Sequence, residues 1–92
     1  SYLEAEDGEQ DAHIRRALIQ LLGDRSAITR SWAVVSLCIV ARRRPDWAEE
    51  ILQSLQPLQA DESKAVRTRV RKALPCLLDP EAELPAGWRK RS

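Results

Sequence analysis

The chain has no phenylalanine and no methionine, one tyrosine, one histidine, three glycines and two cysteines. Each scarcity removes a class of chemistry. A lone His13 has no second imidazole or carboxylate at ligand spacing, so it reads as an ordinary surface residue of a helix rather than a general base or a metal ligand. Gly8, Gly23 and Gly87 stand apart from one another, which excludes a glycine-rich phosphate cradle. Two cysteines cannot form a disulfide framework, and Cys38 and Cys76 both sit inside apolar runs, where a reduced thiol behaves as a small hydrophobe. With one distant histidine they do not make a zinc site. The most apolar stretch, Trp32 to Ala41, is about half of a membrane span, and no signal peptide opens the chain. The sequence therefore predicts a non-enzyme without metal or cofactor and without a membrane partner, in a reducing, cytoplasmic setting.

What is present suits helices. Of the 92 residues 43% are hydrophobic and 32% charged, and Ala, Leu, Arg, Glu and Gln, all good helix formers, dominate. A chain of this size makes one domain and buries about 60–65% of the surface exposed when it is unfolded. The net charge of +1 conceals an asymmetry: residues 1–11 carry five acids and no base, and residues 64–92 carry eight bases against three acids.

The pattern predicts an all-α fold of four helices. Residues 1–9 form an acidic lead-in interrupted by Gly8, and helix one begins near Gln10 or Asp11, with Ile14, Ala17, Leu18, Leu21 and Leu22 on one face before Gly23 stops it. Asp24 or Ser26 caps helix two, which runs to about Arg43 and is apolar nearly all round, as a central helix must be. Pro45 ends it after Arg42, Arg43 and Arg44. Asp46 and Glu49 have the spacing of a capping box for helix three, whose stripe of Trp47, Ile51, Leu52, Leu55 and Leu58 ends near Leu58. Helix four starts from Asp61 or Ser63, buries Val66, Val70, Ala73, Leu74 and Leu77, and is expected to kink or end at Pro75. Residues 80–92 are an irregular basic tail. Trp32 and Trp47 read as packing residues.

Two stretches repeat. At an offset of 37, Ile14 meets Ile51, Leu18 meets Leu55, Leu21 meets Leu58, Asp24 meets Asp61, Ser26 meets Ser63, Arg30 meets Arg67 and Leu37 meets Leu74. Composition alone would give about two such identities in a window of this length. Residues 10–79 are thus a domain of two helical hairpins, 10–44 and 45–79, each the copy of the other. With its paired helices, this period and an Asp six residues before an Arg in both copies, the chain resembles the HEAT-like (armadillo-like) repeat family. The resemblance implies two stacked hairpins of a short α-solenoid. It also implies an inter-repeat ladder of hydrogen bonds, with Asp24 and Arg30 in the first rung and Asp61 and Arg67 in the second. The sequence departs from the family in lacking a proline at Arg16 and Gln53, and in having two repeats where solenoids use three or more. A polar outer face on helix four would serve as a cap.

The remaining functional candidates are basic. Lys64, Arg67, Arg71 and Lys72 fall on overlapping turns of helix four with Arg69 nearby, and Arg42 and Arg43 lie at the end of helix two. Arg30 and Arg67 are assigned to structure first. The others, with Trp88 flanked by Gly87 and a basic run, form the candidate binding face. A scaffold that binds a protein partner is the first expectation. Nucleic acid held by the same basic face is the second, because such a surface can neutralise phosphates and HEAT-like repeats cradle duplex DNA in some proteins. Self-association, as a homodimer or as part of a longer repeat array, is the third.

Overall fold

A computed structural model describes residues 2–79, 81–85, 87 and 88, with side chains from residue 10 onward. Four α-helices follow one another: α1 (Tyr2–Leu21), α2 (Ala27–Arg43), α3 (Ala48–Leu55) and α4 (Lys64–Leu78). Short 3-10 turns at Pro45–Trp47 and Gln56–Ala60 flank α3. There is no strand among the described residues. The lead-in belongs to α1, contrary to the expected start near Gln10. One helical glycine costs only about 1 kcal/mol relative to alanine, and acids in a first turn favour the helix dipole, so Gly8 does not halt it.

The caps explain where the second helix of each hairpin starts. Ser26 and Ser63 have extended backbones, and their hydroxyls accept the N–H of Thr29 and Val66 at 3.3 Å. Asp24 and Asp61 act one step earlier, each accepting the N–H two residues on, at 2.9 and 2.8 Å. The same Asp–Ser device thus opens α2 and α4. Helix three starts differently. Asp46 lies within the 3-10 turn that Pro45 favours and faces Arg44 at 3.7 Å, and the N-cap is Trp47 without a side-chain bond, so the expected capping box does not form. Pro57 converts the last turn of the expected helix into 3-10 geometry, ending α3 at Leu55. Pro75 neither ends nor interrupts α4, which continues to Leu78. The bond it removes is that to the carbonyl of Arg71, and Arg71 is exposed, so water can take its place.

Two hairpins, α1–α2 and α3–α4, stack side by side. Helix α2 packs against all three other helices, α3 against both α2 and α4, and α1 chiefly against α2. The core is their shared interior: Val34, Leu37, Ile51, Leu55, Val66 and Val70 are fully buried. Positions related by the repeat differ where a neighbour is missing. Ile51 is buried completely where α3 packs against α2 and α4, and its counterpart Ile14, on α1, is 40% exposed.

After α4 the chain turns back. Cys76 Sγ donates to the Glu83 carbonyl at 3.3 Å, Leu84 packs on the core, and Gly87 lies beside Ala65 and Arg69 near the start of α4. Gly87 has φ +87°, a left-handed conformation that favours glycine, in a turn closed by the Trp88 N–H on the Pro85 carbonyl at 3.1 Å. Trp88 is buried against the core. No described helix is long and apolar enough to cross a membrane.

Candidate functional site

The residues of the ladder come together across the hairpins. Arg30 Nη1 donates to the carbonyls of Asp24 at 2.8 Å and Arg25 at 3.0 Å, which fixes the guanidinium over its own turn. Its other edge meets the second hairpin: Nη2 donates to Asp61 Oδ2 at 3.0 Å, and Nε lies 3.0 Å from Oδ1. Both side chains are about nine-tenths covered, at 11% and 12% exposure. Hydrogen bonding to Arg30 holds the Asp61 carboxyl below the usual carboxylate range, with help from the Ser63 N–H and the charges of Arg30 and Arg67. The same bond raises the Arg30 guanidinium above its ordinary value. Arg67 repeats the local half of the pattern, its Nη1 donating to the Asp61 carbonyl at 2.6 Å.

The arginines at the end of α2 make contacts within the fold, although Arg43 stays exposed. Arg43 and Arg44 reach Asp11 of α1 at 3.3 and 3.5 Å. Arg44 also lies over the Trp47 ring at 4.3 Å, and Arg15 lies over the same ring at 4.4 Å while pairing with Glu50 at 3.0 Å. Trp47 is thus held between two cations, and it joins α1 to the start of the second hairpin. Arg42 is half-buried beside Pro45, Ala48 and Cys76. The expected basic cluster at the end of helix two therefore serves largely in contacts within the fold.

On α4 the bases divide. At about 100° per residue, Lys64, Arg67 and Arg71 share a stripe with Leu74 and Leu78, whereas Lys72 and Arg69 lie to the other side. Arg67, Arg71, Leu74 and Gln59 line a shallow depression on the outer face of the second hairpin. Leu74, expected in the core, is half-buried there, and Leu78 is 70% exposed. Arg69 instead faces the groove between α2 and α4, where it borders Ile28, Trp32, Val35 and Gly87. Trp32 is not the packing residue expected: it is 57% exposed, and Ile28 is 82% exposed. An all-round apolar helix shows no preferred face, so its pattern could not mark which side would lack a cover. Trp88 joins the core beside this groove and so differs from the freely displayed residues of the candidate face.

The described residues bring no reactive groups together. His13 is exposed, and no three His, Cys, Asp or Glu side chains among the described residues could hold a metal ion. Cys38 of α2 and Cys76 of α4 are free and buried in the same core. Burial, then the neighbouring Cys76, pushes the Cys38 thiol up to about 12. Such a thiol is a poor nucleophile near neutral pH.

The chain matches no protein-family model, no curated protein and no solved structure.

Proposed function

We propose that this protein is a non-catalytic recognition module, a short HEAT-like stack of two hairpins that binds a protein partner along the groove between α2 and α4. The observation that carries this reading is the exposure of Trp32 and Ile28 beside Arg69 on a rigid helical surface. Aromatic and arginine side chains supply most of the energy at protein interfaces, and an indole displayed on a helix loses little entropy when covered. Gly87, in the turn that follows α4, already lies at the edge of this groove. The Arg30–Asp61 rung supports the HEAT-like assignment, and the two free buried thiols support a reducing, cytoplasmic setting.

Selection of displayed peptides against the wild-type protein tests this reading. Selected peptides should lose about tenfold or more in affinity for Trp32→Ala, a loss of about 1.4 kcal/mol, while the melting temperature stays near that of the wild type. Peptides that bind Trp32→Ala as well as the wild type would overturn the groove as the recognition surface. Nucleic acid remains a second reading because Lys64, Arg67 and Arg71 form one outward stripe. Three phosphate contacts would give a log–log salt slope of about −3 for duplex DNA, and an apolar groove would give nearly none.

A further inference from the structure

The ladder contains one complete rung and, at each end of the molecule, half of another. Arg30 uses one edge of its guanidinium on the Asp24 carbonyl and the other on the Asp61 carboxylate. Arg67 is anchored in the same way, on the Asp61 carbonyl, and the edge corresponding to the one Arg30 gives to Asp61 has no partner among the described residues. Asp24 mirrors this at the other end. Its Oδ2 accepts the Ser26 N–H as Asp61 Oδ2 accepts that of Ser63, and no described guanidinium reaches it from outside. Arg67 therefore lacks a carboxylate presented by a turn, and Asp24 is that carboxylate in that turn.

The surfaces around the half-rungs agree. Ile14 is 40% exposed where Ile51 is covered by the preceding hairpin. At the other end, Leu74 borders the Arg67 depression, and Leu78 is 70% exposed where its repeat counterpart Ala41 is 6% exposed. Both ends thus pair a polar half-rung with uncovered apolar side chains. One opposing feature sets the strength: Arg71 stands where the repeat has Val34, which is completely buried, so a neighbour must leave that guanidinium solvated or draw it aside.

We infer that this protein stacks on itself head to tail, with Arg67 and the Leu74–Leu78 stripe of one copy received by Asp24 and Ile14 of the next. The operation that carries the first hairpin onto the second, applied once more, relates the two copies. The occupant of the α4 face is a second copy because the same chain supplies the complementary charge in the matching turn. The contact is heterologous and does not close by itself, so successive copies form a short open stack. An exposed rung contributes little and Arg71 opposes burial, which makes the association weak, with a dissociation constant on the order of 100 μM, and sensitive to salt. This surface is separate from the α2–α4 groove, so its failure leaves the groove reading intact.

Sedimentation velocity on the full chain, from about 10 μM to about 1 mM, tests the inference. The wild type should gain mass with concentration, and raising the salt from about 50 mM to about 300 mM should weaken the association. Arg67→Asp alone and Asp24→Arg alone each place like charges at the contact and should remain monomeric. The Arg67→Asp protein keeps Asp24 and the Asp24→Arg protein keeps Arg67, so mixing them restores one native pair and should restore association. The mixture also shows that both variants are folded. A wild type that stays monomeric throughout, or variants that associate as the wild type does, would overturn the inference. So would duplex DNA binding that Arg67→Asp abolishes in a chain that never self-associates, because the stripe would then serve phosphate instead.

Discussion

Ile14 and Ile51 are the same residue at the same place in two copies of one hairpin, and they should respond very differently to the same substitution. Ile51→Ala removes three carbon atoms from a site with no exposure. At about 0.8 kcal/mol per carbon this amounts to about 2.4 kcal/mol, and the cavity between α2 and α4 adds to it, for a total of about 3–4 kcal/mol. Ile14 is already 40% exposed. Its truncation forfeits roughly 1.4 kcal/mol of burial, leaves no enclosed cavity, and gains a few tenths from the better helix propensity of alanine, so the net loss is about 1 kcal/mol. In a domain of this size each kcal/mol moves the midpoint by about 4–8 °C, which places the two shifts roughly 10 °C or more apart. Thermal denaturation followed by far-UV circular dichroism, at a dilution where the chain is monomeric, measures both. Midpoint shifts that agree within about 3 °C would refute the argument that the packing around each position, rather than the residue itself, sets its contribution.

Three further outcomes are expected. Asp61→Asn should destabilise the protein more than Asp24→Asn, because in both the amide oxygen can still accept the N–H two residues on and only the first loses the charge that pairs with Arg30; chemical denaturation of the two side by side checks the order. The depressed Asp61 carboxyl contributes stability above its unfolded value near 4 and loses it as pH falls through its lower folded value, so the stability of Asp61→Asn should fall less steeply than that of the wild type below about pH 4. Cys38 has the opposite sign: its folded value is raised from 9.0 to about 12, so its contribution is complete below pH 9.0 and is lost between there and about 12. Urea midpoints at about pH 8 and pH 10 should fall further for the wild type than for Cys38→Ala, by up to roughly 1.4 kcal/mol per pH unit from this group.

The parts of the fold written in local chemistry were legible. Ser26 and Ser63 are caps in the sequence and in the structure, and the offset of 37 brought Asp24, Arg30, Asp61 and Arg67 to attention before any coordinates did. The resemblance implied a ladder between repeats but grouped Asp24 with Arg30 and Asp61 with Arg67; the pair that crosses is Arg30 with Asp61, which periodicity could not show because it says nothing of which hairpin a side chain reaches toward. Two tryptophans show the limit more sharply. Trp32 occupies the most apolar stretch and is exposed, and Trp47 occupies a clean amphipathic stripe and is gripped by Arg15 and Arg44. Hydrophobicity ranks a residue's tendency to be covered, but cover is supplied by whatever other element arrives. Only two hairpins are here to supply it. The same lesson applies to Arg42, Arg43 and Arg44, a basic run in one dimension whose last two members answer Asp11, distant in sequence and adjacent in space.

The sandwich of Arg15, Trp47 and Arg44 has a mechanical consequence. It ties the hairpins at the C-terminal end of α2, and the Arg30–Asp61 rung ties them near its N-terminal end, about 21 Å away along the helix axis. A pair of bodies joined at one point can pivot, but a pair clamped at two separated points resists both twist and splay. Force applied to one hairpin is then carried into the other instead of being dissipated in a hinge. Trp32, mounted between the two clamps, keeps a constant spacing from α4 under load, as a mark on a fixed ruler would.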